Sequence, residues 1–237
     1  MLDIKAYCSG SKGNLYIIYN NNTKILLECG VESKKLRGYL MSDGLMITDL
    51  QGCIISHHHS DHAMAVDYVS DYIDTYGTRE IIKKCKRVKP IKNYQAFTIG
   101  SIKIFPLLVE HGNAENHAFI ILDKESCIFF GTDFSLMTEK IDNAFDKVYI
   151  ECNYEQAKLD IALNNQADDL HEKYLRQLAT HLSLENCVEH LKHFNLSKCK
   201  EIVLIHASSD KWLLNREYAL SYIYNTFNIK TTFAKEK

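Results

Sequence analysis

The sequence lacks long apolar runs, paired cysteines and more than two prolines, and these shortages narrow the classes of protein it can be. No apolar run approaches the ~20 residues that a membrane-spanning helix requires. The N-terminus does not join a charged region to a long apolar stretch, as a signal peptide does, so we expect the protein to stay in the cytoplasm. The eight cysteines form no C-x-x-C pair. In a cytoplasmic chain they are interpreted as reduced thiols.

Positive charge is not in excess either. The 28 lysines and arginines face 30 aspartates and glutamates, which gives a net charge of −2. Proteins that grip a long nucleic acid usually carry a basic face, because each neutralised phosphate releases counterions and adds affinity. The one dense basic run, at residues 83–89, is equally consistent with a solvated helix end. The charge therefore favours a small substrate over a long nucleic acid.

Apolar patterning predicts strands in both halves of the chain, each set followed by helices. Hairpin patterns lie at residues 15–28, 95–109 and 118–131, and the longest helical pattern covers residues 155–194. This order suits an α/β protein with two mixed sheets packed face to face and helices outside. The chain is long enough for one sizeable core, and it has no repeat or low-complexity linker. We therefore expect a single domain over residues 1–237.

The most informative stretch is the run SHHHSDH at residues 56–62. It places His57, His59, Asp61 and His62 on a loop between a short buried strand and the start of a helix. Such a loop can aim several side chains at one point while the strand and the helix hold it rigid. Imidazole and carboxylate are ligands that zinc and similar divalent ions prefer. The run therefore predicts a metal site.

Two further histidines lie where they could complete such a site. His111 follows the buried strand predicted at residues 102–109, and His206 follows the one at residues 201–205. A histidine just past the end of a buried strand is well placed to act as a metal ligand. An exposed loop histidine is the alternative for His111.

The H-x-H-x-D-H pattern resembles the signature of the metallo-β-lactamase fold superfamily, and the resemblance extends over nearly the whole chain. It implies an αββα sandwich holding two divalent ions, Zn²⁺ in the first place and Mn²⁺ as the alternative. Asp133, in a G-T-D segment at a strand end, would bridge the two ions. The implied ligands are His57, His59 and His111 on one ion, Asp61, His62 and His206 on the other, and Asp133 on both.

Two other segments resemble the branch of that superfamily containing ribonuclease Z and the YycJ/WalJ-type nucleases. Glu151 ends a predicted strand, and His181 lies in the segment Thr180-His181-Leu182-Ser183. The resemblance implies that His181 protonates the leaving oxygen and that Glu151 orients it. Asp61 is counted with these two as a catalytic residue. The long Gly/Pro-rich arm with which ribonuclease Z clamps tRNA has no counterpart here.

Other residues near these motifs are expected to have lesser roles. His58 and Ser60 fall on the free positions of the signature, and His117 is interpreted as a loop histidine that could also line the pocket. Glu28 stands where the family usually has aspartate, and its longer side chain could support a ligand histidine. The remaining histidines are expected on helices, at the surface or in the core: His171, His190 and His193.

These features favour a phosphodiesterase with two metal ions. Three functions stay open. The first hydrolyses 3′,5′-cyclic mononucleotides, as in the phage anti-Pycsar proteins that counter cyclic-nucleotide immune signalling. The second is a YycJ/WalJ-like nuclease acting on DNA or RNA, and the third is a metal-binding sensor or scaffold without turnover. Low positive charge and the missing arm favour a small nucleotide as the partner, with no membrane. A homodimer is expected from the resemblance alone.

Overall fold

Two β-sheets form the frame of the computed structural model, which describes residues 2–165 and 168–234. The first sheet has six strands in sequential order: β1 (Asp3–Cys8), β2 (Leu15–Tyr19), β3 (Lys24–Leu27), β4 (Cys53–Ile54), β5 (Thr75–Gly77) and β6 (Lys89–Pro90). The second has seven strands: β7 (Phe97–Ile99), β8 (Ile102–Val109), β9 (Asn116–Leu122), β10 (Cys127–Gly131), β11 (Lys147–Glu151), β12 (Glu201–Ile205) and β13 (Lys230–Phe233).

Both sheets are mixed. Strands β1 to β3 pair antiparallel and β3 to β6 pair parallel. In the second sheet β7 to β10 pair antiparallel and β10 to β13 pair parallel. The helices are α1 (Ser33–Met41), α2 (Ser60–Ala63), α3 (Val66–Ser70), α4 (Arg79–Lys84), α5 (Gln156–Asn165), α6 (Asp168–Thr180), α7 (Leu184–Lys192) and α8 (Arg216–Phe227), with a 3₁₀ turn at Ile47–Asp49.

Alternating side chains place the sheets face to face and the helices outside. On β8, Ile102 and Ile104 join the apolar cluster between the sheets, while Leu107 and Val109 join the cluster under α7 and α8. This period of two is what a strand buried on both faces requires. The first sheet is covered in the same way by α1, α3 and α4. The αββα sandwich predicted from the sequence is thus confirmed.

One edge of the sandwich gathers the ends of several strands. Because β10, β11 and β12 are parallel, and β8 runs in the same direction as β10, their carboxyl ends meet at one edge. The carboxyl ends of β3 and β4 lie side by side in the first sheet. Residues that follow these strands are therefore brought together from distant parts of the sequence.

After the metal loop the sequence predicts a helix, and the structure has two. The segment forms two short helices, α2 and α3, because the chain turns between them. At that turn the N–H of Ala65 donates to the carbonyl of Cys29, at 2.9 Å. The bond ties the segment to the end of β3 instead of continuing the helix.

Two of the five cations in the dense basic run at residues 83–89 are paired with acids. Arg87 lies 3.1 Å from Asp71 and 3.3 Å from Asp67, and Lys89 lies 2.6 Å from Asp74. These pairs reduce the positive charge at the end of the run. In residues 2–165 and 168–234, no helix is both long enough and apolar enough to cross a membrane.

Candidate metal centre

The loop from His57 to His62 is fixed by close backbone packing against the end of β3. The N–H of Cys29 donates to the carbonyl of His62 at 2.8 Å. Gly30 lies so close to the loop that a Cβ there would come within 1.6 Å of the Asp61 carbonyl oxygen. The Asn14 N–H donates to that same oxygen at 2.8 Å. A side chain at position 30 would push the loop away, so glycine is required there.

The first group of donor atoms consists of three imidazoles, His57, His59 and His111. His59 Nδ1 lies 3.0 Å from His57 Nε2 and 3.1 Å from His111 Nε2. The Nδ1–H of His111 can donate to the Thr180 carbonyl oxygen, 3.0 Å away. That bond fixes the tautomer that leaves Nε2 free to bind a metal.

The second group combines two carboxylates with two imidazoles, from Asp61, His62, Asp133 and His206. His62 Nε2 lies 3.3 Å from Asp133 Oδ2. Asp61 Oδ2 lies 3.6 Å from both His62 Nε2 and His206 Nε2. On the far side of its ring, His62 Nδ1 lies 3.5 Å from a Glu28 oxygen. The fully buried Glu28 thus supports His62 from behind.

Asp133 lies between the two groups. Its Oδ2 is 3.3 Å from His62 Nε2 and 3.8 Å from His57 Nε2, and its Oδ1 accepts a hydrogen bond from the Thr132 hydroxyl at 2.7 Å. Asp133 and His206 have left-handed backbones, with φ of 53° and 50°. Such conformations cost roughly 1–3 kcal/mol in a non-glycine residue, and they often occur at functional sites.

The donor atoms fit divalent metal ions. Two ligand atoms about 2.1 Å from one tetrahedral ion lie roughly 3.4 Å apart, close to the separations measured in both groups. His206 Nε2 is buried and has no hydrogen-bond partner among the described residues, although it points toward Asp61. An orphaned buried nitrogen of this kind is explained by a ligand to the group. Both groups can therefore hold an ion.

The two groups differ in their electrostatics. Burial, with the neighbouring His111 and His58, lowers the pKa of His59 to about 4. Burial also lowers the pKa of His57 well below its usual range. At His206 burial again acts to lower the pKa, but Asp133, Asp61 and Glu151 outweigh it and raise the pKa to about 10. The first group is thus neutral, whereas the second holds protonated imidazole between carboxylates when no metal is bound.

His181 and Glu151 meet beside the second group. Glu151 Oε1 lies 2.7 Å from His181 Nδ1 and 3.0 Å from His206 Nδ1. Its other oxygen accepts from the N–H groups of Phe134 and Leu182, at 3.2 and 3.3 Å. The Glu151 carboxylate is fully buried, while the His181 side chain keeps 19% of its surface exposed. This arrangement holds His181 at the rim with Nε2 available for proton transfer.

The histidines that the sequence placed outside the site remain outside both groups. His117 is not on a loop, as expected, but on β9, where it is fully buried and lies 2.7 Å from Asn93 Oδ1. That polar partner allows an imidazole to sit in an apolar strand. His58 is half-buried beside His59. The others lie on or at the end of helices α6 and α7: His171, His190 and His193.

Three adjoining recesses leave the metal centre on the side of His206 and His181. The first, of about 100 Å³, is lined by His181, His206, Lys173 and Arg176. The second, of about 350 Å³, and the third, of about 730 Å³, continue past Ser208, which lines all three. We call this the cationic side, and its basic residues are Lys12, Lys35, Lys158, Lys173, Arg176, Lys211 and Arg216.

Acidic residues are few along this path. Among the described residues, none lines the first two recesses, and Glu217 lines the third. Two of the cations have acidic partners, since Asp210 lies 3.8 Å from Lys173 and Glu155 lies 2.7 Å from Lys158. The basic residues come from the β1–β2 turn, α1, α5, α6, the loop after β12 and the start of α8. No local sequence pattern marks these cations, because they are single residues that only the fold brings together.

The opposite side of the centre carries negative charge. A recess of about 620 Å³ begins at His111 and includes three glutamates and one arginine, Arg79. We call it the acidic side, and its glutamates are Glu110, Glu115 and Glu139. Glu139 accepts a hydrogen bond from the Tyr94 hydroxyl. The metal centre thus lies between two surfaces of opposite charge.

Comparison with known proteins identifies similar sequences and folds. The profile of the metallo-beta-lactamase superfamily matches residues 9–125. Exodeoxyribonuclease WalJ of Streptococcus pneumoniae strain D39 is 25% identical over 219 residues, covering 85% of this chain and 80% of the relative.

Two solved structures share the fold over the full length. The metallo-beta-lactamase fold protein YhfI from Bacillus subtilis superposes with a TM-score of 0.75 at 19% identity, covering 100% of this chain and 98% of that one. A diphosphatase from the PhnP family superposes with a TM-score of 0.69 at 14% identity, covering 100% and 96%.

Proposed function

The chain belongs to the metallo-β-lactamase superfamily, and from that premise we propose that it is a metal-dependent nuclease acting at the end of a DNA strand. It is a hydrolase with a site suited to divalent metals, and its similarity to the WalJ exodeoxyribonuclease extends over most of both chains. We propose in addition that the substrate is a DNA strand and that the strand reaches the metal centre from one particular side.

The observation that carries the proposal is the opposite charge of the two sides of the centre. A strand lying along the cationic side meets basic residues at successive positions, starting with Arg176 and Lys173 beside His181. Beyond the centre, the same strand would meet Glu110, Glu115 and Glu139. Phosphates are attracted by the first surface and repelled by the second. A strand that ends at the metal centre satisfies both surfaces, and this favours cleavage at an end.

The roles proposed for the site residues follow from their positions. His57, His59 and His111 would hold one ion, and Asp61, His62 and His206 the other, with Asp133 shared. Bound ions supply a water of lowered pKa and stabilise charge on the phosphate. His181 donates a proton to the leaving oxygen, and Glu151 holds its ring in place through Nδ1. Arg176 and Lys173 bind a neighbouring phosphate. We take both ions to be Zn²⁺, with Mn²⁺ as the alternative.

Cyclic 3′,5′-mononucleotides are the second candidate substrate. The recess nearest His181 and His206 holds about 100 Å³, so only a small group fits beside the ions. The net charge of −2 also suits a small substrate. Such a substrate, however, would leave the second and third recesses of the cationic side unused. We further propose that residues 1–237 form one domain and that the protein acts as a homodimer.

A side-by-side assay at fixed salt tests the proposed function. The metal-loaded protein is given cyclic mononucleotides, linear and circular single-stranded DNA of one sequence, duplex DNA and a tRNA precursor. We expect linear single-stranded DNA to be degraded from an end and the circular form to be spared. Asp133→Ala, which loses the shared ligand, controls for contaminating nucleases. Faster cleavage of any cyclic mononucleotide than of every polymer would replace this function with the second candidate.

A further inference from the structure

The only tryptophan of the sequence, Trp212, lies in the third recess of the cationic side. It keeps 42% of its surface exposed, and it shares that recess with Lys158, Lys211 and Arg216. A tryptophan ring usually stabilises a protein by burying its apolar surface in the core. A ring that stays this exposed, close to several cations, needs another explanation.

Trp212 is supported from the protein side. Its indole N–H lies close to the Tyr174 hydroxyl, which in turn donates to an Asp210 oxygen at 3.3 Å. Tyr174 is 2% exposed and packs with Leu159 and the neighbouring Leu213. The ring is therefore anchored from the protein side while a large part of it faces solvent. A rigid, partly exposed aromatic ring loses little entropy when a flat ligand stacks on it.

The recess of Trp212 connects to the metal centre. Ser208 lines all three recesses of the cationic side, and it follows the candidate ligand His206 by two residues. Lys211, next to Trp212, is exposed and makes no ion pair or hydrogen bond among the described residues. Arg216, on the other side of the recess, packs its guanidinium 4.9 Å from the Phe233 ring centre. A polyanion leaving the centre would thus pass the cations and reach the indole.

We propose that Trp212 is a stacking platform for a nucleobase of single-stranded nucleic acid, with Lys211 and Arg216 holding the adjacent phosphates. An aromatic ring flanked by cations is the arrangement that binds single strands, because every base offers a flat face and every link a charge. A duplex cannot use the platform, since its bases are already stacked and paired. The inference rests on the proposed nuclease function for its biological meaning, but the binding can be measured without any cleavage.

Because Trp212 is the sole tryptophan, its fluorescence reports the binding directly. The metal-loaded protein is titrated with oligothymidylate carrying cleavage-resistant phosphorothioate links, with an oligouridylate of equal length, and with duplex DNA. We expect single strands to quench the fluorescence and duplex to have little effect. An oligothymidylate series with one abasic position moved along the strand should lose quenching at one position only. The DNA and RNA arms show which strand the platform prefers.

Substitution gives a second readout. Trp212→Ala should weaken binding of oligothymidylate by about 5- to 100-fold, the range given by base–aromatic stacking, and Trp212→Phe should recover most of the affinity. The matched control is Tyr72→Ala, which removes another exposed aromatic ring. Tyr72 lines none of the three recesses, so this variant should bind normally. Binding by the variants is followed with a labelled oligonucleotide, and thermal unfolding checks that each variant is folded.

The outcomes separate the platform from the proposed function. Cleavage of linear DNA without a change in Trp212 fluorescence would overturn the platform and leave the nuclease function standing. Quenching at one abasic-sensitive position, without cleavage of any polymer, would support the platform and overturn the nuclease function. Equal quenching by every abasic oligonucleotide, or wild-type affinity in Trp212→Ala, would overturn the platform.

Discussion

The two sides of the metal centre are built from the same sandwich edge, yet they present opposite charge. His181 and His111, whose ring centres are 6.0 Å apart, mark where the sides meet. On the His181 side, lysines and arginines line three recesses, and on the His111 side, three glutamates line one. A cleft lined by charges of one sign concentrates the electrostatic field locally, whatever the net charge of the whole chain. A net charge of −2 therefore does not decide whether a protein can bind a polyanion.

The largest expected effects come from replacing the two histidines at this boundary. One replacement should lower turnover and the other should lower metal content. His181→Ala should keep the bound metal and lose about 10²–10⁴-fold in kcat, because a general acid contributes that much. His111→Ala should lose metal from the first group, since it removes one of three imidazoles. Metal content is measured by elemental analysis and turnover with linear DNA. Asp133→Ala, which removes the carboxylate between both groups, is the comparison that should lose metal and turnover together. Poor metal binding in His181→Ala would assign it a ligand role instead.

The next effect concerns the cationic side as a binding surface. Arg176→Ala and Lys211→Ala, tested singly, should each weaken binding of single-stranded DNA. Each lost phosphate contact should lower the slope of log K against log salt by about 0.7. Lys103→Ala, an exposed lysine on β8 outside these recesses, is the matched control and should leave the slope unchanged. Equal slopes in all three variants would remove the cationic side from the binding surface.

A smaller effect is expected on the acidic side. Glu115→Gln and Glu139→Gln remove charges that repel a strand extending past the centre. A surface charge of this kind is worth about 0.2–1 kcal/mol, so the combined variant should cleave circular single-stranded DNA a few-fold faster than the wild type. Cleavage of linear DNA should change less, which makes the ratio of the two rates the measurement. An unchanged ratio would show that the acidic side does not set end specificity.

The smallest expected effect is a difference between the two ligand groups in the number of protons released when metal binds. His59, with a pKa of about 4, is already deprotonated at neutral pH, whereas His206, with its pKa raised to about 10, must lose a proton before it can bind metal. At His62 burial acts to lower the pKa, but Asp133 and Glu28 outweigh it and raise the pKa well above its usual range, so this imidazole is protonated as well. Metal binding to the second group should therefore release about two protons and strengthen as pH rises toward 10. Binding to the first group should release none above pH 5. Calorimetry in buffers of different ionisation enthalpy counts the protons, and His59→Ala isolates the second group.

Much of the fold and most of the candidate ligands were predictable, because both depend on local patterns. The period of two along β8 marks a strand, and a histidine or aspartate just after a buried strand lies at the edge where strands end. His117 was misplaced because an apolar strand tolerates a histidine only with a partner. That partner, Asn93, is 24 residues away in the sequence.

The surface around the centre could not be predicted, because no local pattern encodes it. In the obvious basic run at residues 83–89, Arg87 and Lys89 are paired with acids that lie elsewhere in the chain, Asp71 and Asp74. The cations of the cationic side stand alone in the sequence, as Lys12 and Lys211 do, and they become neighbours only through the packing of distant turns. The sequence gives the number of charges, whereas substrate binding depends on how those charges are arranged on the surface.

The origin of the ligands has a consequence for the lifetime of the folded chain. His57 and His62 follow a strand of the first sheet, whereas His111, Asp133 and His206 follow strands of the second. With ions bound, the centre would be a cross-link between the two halves of the sandwich. Separating the halves would then require release of an ion, so metal loss, rather than exposure of the apolar core, would set the pace of unfolding and of attack by proteases.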